Sequence, residues 1–170
     1  MAEFLIRLRL LQVLLCIFSY NYALASVFKR CFSTKSMKIY LAGKIRSPEE
    51  REFLEKVDAL CKRLGFETFL PHRDVGLAKD IKDVKKIFEG DIKQGFKEVK
   101  LVVAVLDGLH VGAGTAWELG YAYAKGIPTI GIKTDEPVED ALEYLSAILI
   151  GSMEIVSSLK ELEEKLKQRL

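Results

Sequence analysis

The chain has 170 residues, 49% of them hydrophobic and 29% charged, proportions that suit one globular domain with its own core. Its formal charge of +2 is uneven: residues 1–36 hold Arg7, Arg9, Lys29, Arg30 and Lys35 against Glu3, so the remainder is mildly acidic and lacks the broad basic face that a nucleic-acid partner requires. Cys16, Cys31 and Cys61 form no CxxC pair, and His72 and His110 are the only histidines; neither a disulfide framework nor a metal centre is expected, and no cofactor is.

The first segment imitates a secretory signal, with two arginines, an apolar run from Leu10 to Phe18 and Ala23-Leu24-Ala25 resembling a cleavage site. Against that reading, Ser26 to Ser36 is basic and unpatterned, whereas Met37 opens directly into the strand-like run Lys38-Ile39-Tyr40-Leu41-Ala42-Gly43. Residues 1–36 are therefore read as an N-terminal extension: a misassigned start upstream of Met37, a targeting or anchoring segment, or a structural helix. The domain is expected over residues 37–170, in the cytoplasm.

Ile39 to Ala42 predicts a first strand. Ser47-Pro48-Glu49-Glu50 then supplies an N-cap serine, a proline suited to the first helical turn and a capping-box glutamate. Apolar residues three and four apart carry that helix to about Leu64, Gly65 closes it, and Phe66 to Leu70 forms the second strand. His72 to Lys79 reads as a polar loop and Ile81 to Val99 as an amphipathic stretch. Leu101 to Leu106 is an unbroken apolar run typical of a strand buried on both faces. A glycine-rich loop, a helix over Thr115 to Lys125, a strand over Ile127 to Ile132, a helix near Val138 to Leu149, a short strand near Glu154 to Val156 and a charged terminal helix complete the chain.

Such alternation predicts an α/β fold: a single doubly wound, flavodoxin- or Rossmann-like, five-stranded parallel sheet with helices on both faces. Ligands of these sheets lie beyond the carboxyl ends of strands, which nominates the loops after Ala42, Leu70 and Leu106.

The loop Asp107 to Gly114 delivers Glu118 near that edge. Thr115-x-x-Glu118 fits a capping box, in which Glu118 only satisfies backbone donors, and spacing alone favours that reading over a reactive carboxylate. Asp91 lies beside the face that Ile87 and Phe88 would turn inward, or on a solvated edge. Two carboxylates in one pocket can divide roles, one ionised and attacking carbon, the other carrying a proton. Tyr40 emerges near the end of the first strand, where its hydroxyl can orient such a carboxylate or merely pack. Lys44, Arg46 and Ser47 precede a helix N-terminus, a place suited to an anion or to a solvated basic turn. His72 and Trp117 are candidates to stack on a base or to pack. Gly112-x-Gly114 is followed by Trp117 where a dinucleotide fingerprint needs glycine, and no GxxxxGK phosphate loop occurs.

Lys38 to Gly43, Asp91, Asp107-Gly108 and the block Gly114-Thr115-Ala116-Trp117-Glu118-Leu119-Gly120-Tyr121-Ala122 together resemble the nucleoside 2-deoxyribosyltransferase family, over Met37 to about Gly151. The resemblance implies that Glu118 attacks C1' of a deoxyribose to form a covalent glycosyl-enzyme, that Tyr40 orients it, and that Asp91 assists the leaving base. It further implies a deoxyribonucleoside or its 5'-monophosphate and a free nucleobase as partners, and a homodimer or larger homo-oligomer. Gly112 stands where transferases of this family often have an aspartate touching the base. The related 2'-deoxynucleoside 5'-monophosphate N-hydrolases are matched elsewhere: Gly43-Lys44-Ile45-Arg46 resembles their phosphate loop, with Lys44 in place of a serine, and Leu145-Ser146-Ala147 resembles the segment whose serine reaches a neighbouring subunit's phosphate. The expected substrate-binding set is thus Gly43, Lys44, Ile45, Arg46, His72, Asp107, Gly112, Gly114 and Ser146. Transferase is the leading reading, nucleotide hydrolase the alternative, and a non-catalytic nucleotide-binding module the third.

Overall fold

In the computed structural model, which describes residues 36–170, five parallel strands form one sheet in the order β2-β1-β3-β4-β5. The strands are β1 (Lys38–Ala42), β2 (Glu67–Phe69), β3 (Val99–Val105), β4 (Thr129–Ile132) and β5 (Glu154–Val156). This is the flavodoxin-like doubly wound order, whose switch point lies between β1 and β3. The readings of residues 1–35 lie outside the described residues. Among the described residues no helix is long and apolar enough to cross a membrane.

Side chains alternate along the central strands. Ile39, Leu41, Leu101, Val103 and Val105 face the core under α1 (Pro48–Arg63) and α6 (Leu159–Lys167). Tyr40, Ala42, Val102, Ala104 and Leu106 face the opposite core with Ile92, Phe96, Leu119 and Ala122. Burial on both faces explains the continuous apolar run of β3. The α1 start is as its sequence predicts: Ser47 Oγ accepts from the Glu50 N–H at 3.2 Å, and Glu50 Oε2 accepts from the Ser47 N–H at 3.0 Å.

Four elements depart from expectation. The loop after β2 begins with a helical turn, α2 (Pro71–Asp74), because Asp74 Oδ2 turns back to accept from the Leu70 N–H at 2.8 Å. The Ile81 to Val99 stretch is not one amphipathic unit. It comprises a tight turn at Ile81–Asp83, a short α3 (Val84–Phe88) and a π-helical segment, Glu89–Gly95. Phe88 is 46% exposed, so the inward face drawn through it is not what buries Asp91; the wider π turn is. Helix α4 spans Ala113–Ala124 with Gly112 as its N-cap, which places Thr115 inside the helix and Glu118 in the second turn. The capping-box reading of Glu118 therefore fails. Finally, the predicted Val138 to Leu149 helix divides into a turn at Asp140–Glu143 and α5 (Ala147–Ser152), since Ser146 caps a new start by accepting from the Ile148 N–H at 3.3 Å.

Candidate active site

Tyr40 leaves the middle of β1 toward the α4 face and is fully buried. Its hydroxyl donates a 2.7 Å hydrogen bond to Glu118 Oε1. Burial first, then the charge and hydrogen bond of Glu118 and the charge of Asp91, hold the phenol far above its ordinary range, so Tyr40 acts only as a donor.

Burial pushes Glu118 up to about 7; the Tyr40 hydrogen bond pulls it down and the Asp91 charge pushes it up again. Asp91 is pushed up to about 6 by burial. It is 9% exposed, and its Oδ1 has no hydrogen-bond partner. The two carboxyls are close enough for the charge of Asp91 to be felt at Glu118, so between about pH 6 and 7 the pair holds about one proton. Resting affinities favour the proton on Glu118, yet the hydrogen bonding differs in kind. Glu118 has a permanent donor that favours its ionised form, whereas Asp91 offers a bare oxygen to whatever enters.

An aromatic column supports this centre. Phe69 stacks on Tyr40 with centroids 5.3 Å apart, Phe96 stacks on its other side at 4.1 Å, and Tyr121 meets Phe96 edge-on at 5.0 Å. Trp117 stacks on Tyr121 at 5.5 Å, with Phe88 against its edge at 5.8 Å. Trp117 is 49% exposed, so the column runs from the core to solvent beside Glu118. Phe69, Phe96 and Tyr121 escaped the sequence reading because they read as ordinary core positions.

The β1–α1 loop meets the β3–α4 loop at the same sheet edge. Lys44 lies over the second loop: a Cβ on Gly108 would collide with Lys44 Nζ, and one on Gly112 would sit 3.3 Å from Lys44 Cγ. The space in which a family aspartate would project from position 112 is thus flanked by lysine. Lys44 Nζ pairs with Glu50 Oε1 at 3.7 Å, while Glu50 Oε2 accepts from the Arg46 and Ser47 N–H groups at 2.8 and 3.0 Å. Arg51 Nη1 braces the loop through the Ile45 and Arg46 carbonyls at 2.7 and 2.9 Å. Gly43 lets Leu54 and Val105 close in, at 3.1 and 3.3 Å from where its Cβ would be.

The remaining sequence candidates are less central. Asp107 is spent on structure: its Oδ1 and Oδ2 accept from the Thr134 N–H and hydroxyl at 2.6 and 2.8 Å, tying the ends of β3 and β4. His72 Nε2 faces Glu55 on α1 at 3.3 Å, on the side of the sheet away from Tyr40. Gly114 borders open space. Ser146 caps α5 and lines a largely apolar groove of about 610 Å³ with Ala116, Gly120, Tyr123 and Ile148, so it does not converge with Lys44 within one chain.

A half-buried and a buried carboxyl with a phenol donor, at the switch point of a doubly wound sheet, can support nucleophilic attack or proton transfer on a bound ligand. The family model of nucleoside 2-deoxyribosyltransferases matches residues 39–150, which span Tyr40, Asp91 and Glu118. The chain belongs to the nucleoside 2-deoxyribosyltransferase family. It is accordingly an enzyme of nucleoside and nucleotide metabolism that acts on an N-glycosidic bond. Among solved structures, a conserved protein from Enterococcus faecalis V583 is 30% identical with a TM-score of 0.66, covering 79% of this chain and 99% of that one. The 2-deoxyribosyltransferase from the psychrotolerant bacterium Bacillus psychrosaccharolyticus is 21% identical with a TM-score of 0.60, covering 74% and 90%, and shares the fold. No curated protein matches the sequence.

Proposed function

We propose that this member of the nucleoside 2-deoxyribosyltransferase family moves 2-deoxyribose between nucleobases by double displacement on Glu118. The observation that carries the reading is the 2.7 Å bond from Tyr40 to Glu118 Oε1, set beside the second buried carboxyl of Asp91.

In the first step, which proceeds from the form with the shared proton on Asp91 and Glu118 ionised, a Glu118 oxygen attacks C1', the C1'–N bond breaks with its electron pair passing to the base, and Asp91 gives its proton to the departing base. Tyr40 keeps its proton and holds the carboxylate in line. In the second step the acceptor base attacks C1', its N–H proton passes to Asp91, and the glycosyl–Glu118 bond breaks with its electron pair returning to the carboxylate. Protons balance over the cycle. Water in place of the acceptor base would give hydrolysis by the same residues.

A free nucleoside is favoured over its 5'-monophosphate by the state of the Lys44 loop. Its ammonium and two of its backbone donors are already engaged by Glu50, which leaves a phosphate to compete with a fixed carboxylate. The proposed enzyme works in the cytoplasm as a homo-oligomer, with Ser146 of one copy near the substrate of another.

Chromatography of the purified chain with adenine plus either deoxyguanosine or its 5'-monophosphate tests this, with Glu118→Ala as the control. Glu118-dependent deoxyadenosine from the nucleoside is expected. Guanine released only from the monophosphate would replace the reading with nucleotide hydrolysis.

A further inference from the structure

Asp91 receives its direction from packing: no hydrogen bond orients its Oδ1, and it sits in a π turn, a backbone form that is rare and persists where its surroundings impose it. Those surroundings are specific. A Cβ on Gly90 would lie 2.5 and 2.8 Å from the two γ-methyls of Val75, so Val75 is pressed directly onto the backbone that precedes Asp91. At the far end of the turn, a Cβ on Gly95 would lie 2.6 Å from Phe69 Cε1 and 2.9 Å from Tyr40 Cε2. Glycine at both ends lets the π segment settle between the α2 turn and the Tyr40 ring.

Val75 is itself held by an unusual concentration of charge. Arg73 Nη1 donates to both oxygens of the buried Asp58 at 3.0 and 2.9 Å. Its Nε and Nη2 donate to the two oxygens of Asp74 at 2.7 Å each, and Nη2 also donates to the Thr68 carbonyl at 3.1 Å. Asp58 is further engaged by Lys62 at 2.7 Å and by the Thr68 hydroxyl. A planar guanidinium with its whole fork in use fixes both position and orientation, which a lysine would not do. Arg73 thus bolts α2 to α1 and β2, and α2 presents Val75 to Gly90.

We propose that Arg73, Val75 and Gly90 are positioning residues that aim the Asp91 carboxyl at the leaving base, so that disturbing them removes proton delivery while leaving the Glu118–Tyr40 nucleophile intact. The inference rests on the reading of Asp91 as the group that assists the departing base.

Two substrates separate the effects: a natural deoxynucleoside, whose base leaves with a proton, and 4-nitrophenyl 2-deoxyribofuranoside, whose phenolate leaves without one. General acids contribute on the order of 100-fold or more, so Gly90→Ala is expected to lower kcat/KM, which reports the first step, on the nucleoside roughly 30-fold or more with little change in kcat/KM on the nitrophenyl substrate. Arg73→Met is expected to show the same selectivity at roughly 10-fold. Adding Val75→Ala to Gly90→Ala removes the γ-methyls that the new Cβ strikes, and is expected to restore most of the nucleoside rate. Parallel losses on both substrates in Arg73→Met and Gly90→Ala would show a general structural role and overturn the proposal, as would the absence of rescue in the double variant. Should Gly90→Ala alone not fold, Arg73→Met and the double variant still decide. Asp91→Asn serves as the reference. If it is selective and the positioning variants are not, the proposal alone falls; if it shows no selectivity, the reading of Asp91 falls and takes the proposal with it.

Discussion

Tyr40, midway along β1, and Glu118, in the second turn of α4, are 78 residues apart in sequence and joined by a 2.7 Å hydrogen bond from phenol to carboxylate. Because α4 runs back over the sheet, its second turn lies above the strand neighbouring its own, and a side chain as long as tyrosine closes the gap. The bond engages Glu118 Oε1; under the proposed mechanism the second oxygen is the one that attacks the sugar carbon.

Removing that donor should weaken the nucleophile without emptying the pocket. A hydrogen bond to a charged group contributes roughly 1.5–3 kcal/mol, so Tyr40→Phe is expected to lower kcat by roughly 10–100-fold with a smaller change in KM. Steady-state kinetics on a deoxynucleoside checks this; an unchanged kcat would take Tyr40 out of the mechanism.

The carboxyl pair sets a pH optimum. Under the proposed mechanism, activity needs one ionised and one protonated carboxyl. Below about 6 both are protonated and the nucleophile is lost, while above about 7 both are ionised and the proton donor is lost. A bell-shaped kcat/KM profile with its maximum between these values is expected. Asp91→Asn, which cannot titrate, should lose the alkaline limb and retain the acid limb; two intact limbs in that variant would contradict the pairing.

The same burial that serves catalysis costs stability. Glu118 has its folded-state affinity raised from 4.5 to about 7. Its unfavourable contribution is therefore absent below about 4.5, grows as pH rises, and is complete above 7. Glu118→Gln keeps an acceptor for Tyr40 and discards the charge, so it should be inactive yet more stable by roughly 1–3 kcal/mol at pH 8, with the gain vanishing at pH 4. Thermal unfolding at both pH values measures it; an equal or lower Tm at pH 8 would mean that the carboxylate is better solvated than its surroundings imply.

Much of this arrangement could be read in one dimension. The β3 run, the Ser47–Glu50 capping box and the strand–helix alternation are local signals, and local chemistry made those elements. Glu118 was harder, since Thr115-x-x-Glu118 satisfies a capping pattern that the helix avoids by starting at Gly112–Ala113. The π turn at Asp91 leaves no periodic mark: one residue more per turn is invisible in a seven-residue window, and only its flanking glycines, Gly90 and Gly95, hint at it. The bracing by Arg73, Asp58 and Asp74 joins α1 to α2 across 15 residues and emerges only when the helices are placed. The Ser146 cap of α5 was likewise hidden, because the Val138 to Leu149 stretch reads as one helix and gives no sign of a new start at Ala147.

The engagement of Lys44 by Glu50 makes a prediction about substrate choice. Glu50 is a capping residue, but its second oxygen faces the ammonium that lies over Gly108 and Gly112, so a 5'-phosphate approaching Lys44 meets a carboxylate already there. Glu50→Gln keeps an oxygen acceptor for the backbone and removes the opposing charge. Under the proposed reading, kcat/KM for the deoxynucleoside should change little, whereas that for the 5'-monophosphate should rise by roughly fivefold or more, on the scale of a charge-assisted contact. The ratio of the two specificity constants is the quantity to measure, because partial fraying of α1 would lower both together and leave the ratio unchanged. A fixed ratio would place Lys44 away from the 5' position of the bound sugar; a falling one would mean that Glu50 helps to hold Lys44 for the phosphate and that the nucleotide is the better substrate.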